Sequence, residues 1–306
     1  MKLSQLVGAL RRPVWFPLAF RFGLKVEQIS WDEAAREAAT LAYVVRSVHQ
    51  LLSSDVLVGP ADTTLLAEAC GAPVIRDPWG QALAMATPAR PSAPTGVTAR
   101  SPMGTVLQAV AQLCQEAGGR VPVVGCLTGP GTLARQLFGT HRLTPQQQDY
   151  LATLLGSVTR AYAEVGVGGV VVVEELAKDV ALILEGPCLD VARNVAGFYA
   201  IPLLLICGEG LDTQTGQRAR QSGFAYAAGS NLLALPVAGS PWAPPVQPAG
   251  AGLPPHSTAS GVSARPHATG LAAPPEHAII TTCGEIPADA EPDPWTQLAT
   301  QLTRGR

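Results

Sequence analysis

Two short apolar runs in this chain end on the same three residues, a thiol, a glycine and a carboxylate. The run 201–206 is followed by Cys207-Gly208-Glu209, and the run 278–282 by Cys283-Gly284-Glu285. A thiol becomes a strong nucleophile once deprotonated. Two of them at two strand ends can face one pocket. Three further carboxylates lie just beyond such runs: Asp62 after 55–59, and the neighbours Glu174 and Glu175 after 169–173. Carboxylates at such places are candidate catalytic groups, able to take up or release a proton.

These residues need elements that bring distant stretches to one rim. The runs 55–59, 121–126, 169–173, 201–206 and 278–282 are apolar but for Asp55, Thr281 and Thr282, too short for helices and bounded by glycine or proline. They read as strands buried on both faces, as in a parallel sheet wrapped by helices. Helical patterns alternate with them. Ser30-Trp31-Asp32-Glu33 has the form of a capping box ahead of a helix running to about 52. Ser101-Pro102 offers an N-cap with proline at the first helical position, before an apolar stripe through Met103, Val106, Leu107, Val110 and Leu113. Thr144-Pro145 opens another helix, 189–199 carries a weaker one, and Asp293-Pro294 caps the last. The stretch 77–102 reads as loop.

The repeated order strand, loop, helix predicts an α/β protein, a (β/α)8 TIM-type barrel. A barrel of that kind places its chemistry at the carboxyl ends of its strands, where Asp62, Thr128, Glu174, Glu175, Cys207 and Cys283 all fall. The pattern predicts a single domain over 1–306. From 236 to 275 the sequence is dominated by Pro, Ala, Gly and Ser, includes His256 and His267, and has no period. It reads as low-complexity chain standing where a regular barrel has a strand and a helix, so the barrel is expected to be incomplete or irregular near its C-terminal end.

Composition removes several classes. The 21 basic and 23 acidic residues leave a formal charge of -2, and no Lys/Arg cluster offers an electrostatic footprint for nucleic acid. Six scattered cysteines without a Cys-x-x-Cys pair suit reduced thiols in a cytosol. The apolar segment 13–20 is too short to span a bilayer. The expectation is a cytoplasmic protein without membrane or nucleic-acid partners.

Four stretches resemble a known family. They are PADTTLLAEACG (60–71), PVVGCLTGPGTLARQLFG (122–139), LLLICGE (203–209) and CGEIPADAEP (283–292). In this order they are similar to the superfamily of uroporphyrinogen decarboxylase and the cobamide-dependent methyltransferases, which share a (β/α)8 barrel. The decarboxylase branch implies that Asp62 binds the pyrrole nitrogens of a tetrapyrrole. Of that branch's two arginines after Pro-Val-Trp, only Arg21 follows Pro13-Val14-Trp15; its tyrosine falls on Gln136, and its late histidine on Cys283. The methyltransferase branch implies a zinc ion held by a His-x-Cys and a later cysteine. Cys207 and Cys283 match the two thiols, while Leu205 stands at the histidine position, so Glu209, Glu174, Glu175 or a histidine of 236–275 would have to complete the shell.

The resemblance therefore implies a methyltransferase-like role with a thiol or metal site and a corrinoid as substrate or partner, including a corrinoid protein. Its alternatives are decarboxylation of a tetrapyrrole, as in porphyrin biosynthesis, and a non-catalytic tetrapyrrole- or corrinoid-binding barrel. A homodimer is among the assemblies it allows. Plainer readings stand beside these. Asp62 can simply cap a following helix, the four other cysteines can be core filler, Glu174 and Glu175 can be solvated loop charges, and Gly129-Pro130-Gly131 can be only a tight turn.

Overall fold

The structure, a computed structural model, describes residues 1–227, 232–235, 279–282 and 285–303. The low-complexity stretch 236–275 and Cys283 lie outside the described residues. Eight strands carry the architecture: β1 (Val14–Trp15), β2 (Leu57–Val58), β3 (Val123–Thr128), β4 (Gly169–Glu174), β5 (Leu203–Cys207), β6 (Tyr226–Ala227), β7 (Leu232–Leu235) and β8 (Ile279–Thr282). They form two arcs, parallel within each: β2-β3-β4-β5-β6 and β1-β8-β7. Helices fill most connections, among them Ala38–Leu51, Met103–Ala117, Pro130–Phe138, Pro145–Glu164 and Asp190–Tyr199. This is the α/β, TIM-type class that the alternation predicts.

Side chains from both arcs meet in one core. Val14, Phe16 and Ile279 from the smaller arc pack with Val56, Val124, Val171, Val173, Leu204, Ile206 and Tyr226 from the larger. The alternate residues Val123, Leu127, Val170, Val172, Leu203, Leu205 and Cys207 face the helices instead, as the two-residue period of a strand requires. Asp55 bridges the arcs. Its N–H donates to the Trp15 carbonyl at 2.8 Å, its carboxylate accepts from the Trp15 N–H at 2.8 Å, and Arg12 clamps that carboxylate from two nitrogens. The C-terminal helix Pro292–Thr303 buries Trp295 against a cluster containing Trp15, Phe22 and Ile280.

Several expectations are corrected locally. The helix expected over 31–52 is two, Trp31–Ala34 and Ala38–Leu51. Ser30 Oγ accepts from the Glu33 N–H at 3.3 Å and caps the first. The helix expected to begin at Pro102 begins at Met103, with Pro102 at the cap. The expected loop after Asp77 contains half of an antiparallel hairpin, Val74–Arg76 with Ala82–Met85. Thr144 and Gln147 make the reciprocal capping box that opens Pro145–Glu164. The irregularity expected near the C-terminal end rests on 236–275, outside the described residues.

Candidate active site

A cavity of about 260 Å³ opens where β1, β2, β4 and β8 end, walled on one side by the hairpin strand Ala82–Met85. Its polar lining is Arg21, Asp62, Thr63, Thr64, Arg135, Gln136, Glu175 and Glu285. They arrive from the loops or helices that follow five strands, β1, β2, β3, β4 and β8, so the fold does position distant residues at one rim.

Asp62 is held on three sides. It accepts from the Thr64 N–H at 2.8 Å, the Thr64 hydroxyl at 2.7 Å and Arg76 Nη2 at 2.9 Å. Arg76 is the last residue of the hairpin's first strand and also reaches Glu68 at 2.9 Å, which ties the hairpin to the loop beneath it. Asp62 is not the N-cap expected for the following helix, a place taken by Thr64; its carboxylate holds the Thr64 N–H and lines the cavity.

Glu174 and Glu175, adjacent in sequence, have different surroundings. Glu174 is fully buried, and its two oxygens accept from the Gly131 and Thr132 N–H groups at 2.9 and 2.7 Å. Those amides open the helix Pro130–Phe138, a natural seat for a carboxylate. A Cβ on Gly129 would lie 2.2 Å from Glu174 Cδ, and one on Gly131 would lie 2.2 Å from the Asp179 carbonyl oxygen. The Gly129-Pro130-Gly131 turn is therefore a cradle whose glycines allow close approach. Burial raises the Glu174 pKa to about 8 in spite of these hydrogen bonds. Glu175 turns to the cavity and accepts from Thr63 Oγ1 at 2.5 Å, Arg135 Nη2 at 2.5 Å and Gln136 Nε2 at 3.3 Å. Thr132 Oγ1 accepts from the Glu175 N–H at 2.9 Å and donates to the buried Asp179 at 3.1 Å, which also meets His141 Nε2 at 2.6 Å.

A pH dependence follows for Glu174. A buried carboxyl whose folded pKa is raised contributes stability that is whole below its unfolded value and is lost as pH rises through the folded one. The window is between about 4.5 and about 8. Urea unfolding of the native protein should show stability falling across that range, and Glu174→Gln should flatten the fall.

Glu285 completes the wall. It is fully buried, accepts from the Arg21 backbone N–H at 2.7 Å and pairs with Arg21 Nε at 2.8 Å. Burial raises its pKa, against the lowering effect of Arg21. The second Cys-Gly-Glu thus contributes its carboxylate to the cavity. The first does not, since Glu209 is exposed and accepts from the Ala177 N–H at 2.8 Å.

Cys207 is not brought to the cavity. It sits opposite Glu174 in the β4–β5 register, buried on the helix-facing side together with Leu205. Burial pushes its thiol pKa up to about 12. Thiol-labelling of the folded protein, mapped by mass spectrometry, should leave Cys207 unmodified. Of the implied zinc ligands, Cys207 faces the helices, Leu205 offers no donor, the oxygens of Glu174 are committed to amides, and Cys283 lies outside the described residues, among which no three His, Cys, Asp or Glu side chains gather. Arg135, Gln136 and Glu285 were not among the residues singled out for chemistry from sequence. The signals for them were the Gly-Pro loop that starts the arginine's helix and the carboxylate of the second Cys-Gly-Glu.

The profile of the uroporphyrinogen decarboxylase (URO-D) family matches residues 9–167, just over half of the chain. The chain belongs to the uroporphyrinogen decarboxylase family. Of the cavity, Arg21, Asp62, Arg135 and Gln136 lie inside the matched residues and Glu175 and Glu285 beyond them. A solved methyltransferase from Methanosarcina mazei superposes with a TM-score of 0.63 at 15% identity, over 97% of this chain and 96% of that one. At that identity the likeness speaks for the fold, which this chain shares over nearly its whole length. No curated protein sequence matches it. No described helix is long and apolar enough to cross a membrane.

Proposed function

We propose that this URO-D family member is an enzyme acting on a small molecule, with methyl transfer from a corrinoid-type donor to a thiol as its reaction rather than decarboxylation of a tetrapyrrole. One observation carries the choice: every guanidinium at the cavity is already paired with a carboxylate of the chain itself. Arg21 pairs with Glu285, Arg135 with Glu175, and Arg76, behind the wall, with Asp62. Clustered carboxylates on a substrate are bound chiefly by free cationic partners. An octacarboxylate would here face guanidiniums already neutralised by the chain's own carboxylates.

In this reading Glu175 receives the acceptor's proton, since it is the cavity-lining member of the Glu174–Glu175 pair. The methyl group moves to the acceptor sulfur, the donor keeps the electron pair of the broken bond, and the thiol proton passes to Glu175. Asp62, fixed by Thr64 and Arg76, supplies a hydrogen-bond acceptor on the facing wall. Glu174 positions Glu175 through the cradle, as the Glu175 N–H is bonded to Thr132. Zinc at Cys207 and Cys283 has no part in this scheme.

The test is a paired incubation, methylcobalamin with a small thiol in one vessel and uroporphyrinogen in the other. Demethylation followed by absorbance is expected, slowed about 100-fold or more in Glu175→Gln, with the uroporphyrinogen acetates left intact. Loss of those acetates without methyl transfer would replace this reading with the decarboxylase one.

A further inference from the structure

Three polar atoms of cavity-lining residues lack partners, the donors Arg21 Nη2 and Arg135 Nε and the acceptor Gln136 Oε1. Arg21 spends its backbone N–H and Nε on Glu285, while its Nη2 is buried with no acceptor; the residue is 5% exposed. Gln136 is 2% exposed and directs its NH2 at Glu175 Oε1. A carboxylate only accepts, so that contact fixes which end of the amide is nitrogen. Gln136 Oε1 is then a buried acceptor, and no donor reaches it. Buried polar groups are normally satisfied, and an open acceptor together with open donors on one cavity marks where a ligand's own groups complete the set.

The charges of the wall add a constraint. Arg21 and Arg135 stand against Asp62, Glu175 and Glu285, so a plain anion gains an Nη2 donor but meets an excess of carboxylate. A plain cation finds Gln136 Oε1 and Glu175 but leaves Arg21 open. One molecule carrying both groups satisfies both. We propose that the cavity takes a small zwitterion, its carboxylate at Arg21 Nη2 and its amino group at Gln136 Oε1 beside Glu175. This rests on the reading of the cavity as the substrate site and gives the methyl acceptor a class, an amino-acid-like molecule.

Calorimetric titration of the purified chain, with no methyl donor present, separates this inference from the reaction itself. The probes are L-alanine and 4-aminobutanoate, with propionate and butylamine as their single-charge counterparts. At least one zwitterion is expected to bind roughly tenfold or more tighter than either counterpart. Gln136→Met, matched in size and checked by its melting temperature, should reduce that zwitterion to the level of propionate. Should the variant not fold, the selectivity of the native chain decides alone. Equal binding of propionate or butylamine, no binding by any probe, or a folded Gln136→Met that keeps full zwitterion affinity would each overturn the proposal. Methyl transfer to a thiol without zwitterion selectivity would leave the reaction standing and remove only the substrate class.

Discussion

Arg21→Leu is expected to destabilise the protein by about 3–5 kcal/mol near neutral pH, the usual cost of leaving one member of a buried ion pair alone. Glu285 has no exposure, and its remaining hydrogen bond from the Arg21 backbone N–H does not neutralise a charge. The stranded carboxyl is expected to protonate. Because burial already raises its folded pKa, the stability tied to its neutral form is present at low pH and lost as pH rises through that value. Urea titrations should therefore find the variant closer to the native protein at about pH 5 than at about pH 8. Replacing both partners, Arg21→Leu with Glu285→Leu, should recover most of the loss, since an apolar pair of similar size removes the desolvation penalty altogether. A double variant as unstable as the single one would mean that the site is held by something other than this pair.

Gly131→Ala is the second large effect. The new Cβ would stand 2.2 Å from the Asp179 carbonyl oxygen, and a backbone atom cannot swing aside as a flexible side chain does. Gly131 has no unusual φ to protect, so the cost is one of space alone. Overpacking of this kind costs about 1–3 kcal/mol. The functional loss should exceed the stability loss, because the strain falls on the amides that hold Glu174 and on Thr132, to which the Glu175 N–H is bonded. Denaturant unfolding and methyl transfer measured on one preparation separate the two effects.

The strands that sequence reveals are those long enough to form an apolar run. Gly169–Glu174 and Leu203–Cys207 stand out because both of their faces are buried. Val14–Trp15 and Tyr226–Ala227 have two residues each, too few for any period to register, yet each forms an edge of its arc. The bridging role of Asp55 was not legible either, since it depends on Trp15 lying alongside across forty residues of chain.

At the site, Asp62 and Glu175 were readable as carboxylates just beyond strand ends. The direction of Cys207 was not. Alternation places Leu203, Leu205 and Cys207 on one face and Leu204 and Ile206 on the other, but when both faces are apolar the sequence does not say which one looks inward. The pairing of Arg21 with Glu285 spans 264 positions and leaves no local trace. Repetition of Cys-Gly-Glu drew attention to the thiols, whereas in the folded chain the second copy contributes its carboxylate to the cavity.

The central claim is that this cavity, with its guanidiniums neutralised from within, admits a small molecule and not an octacarboxylate. Titration with uroporphyrin, followed by its fluorescence, tests it most directly. The account predicts no saturable binding to the native protein, and saturable micromolar binding that Asp62→Asn abolishes would contradict it.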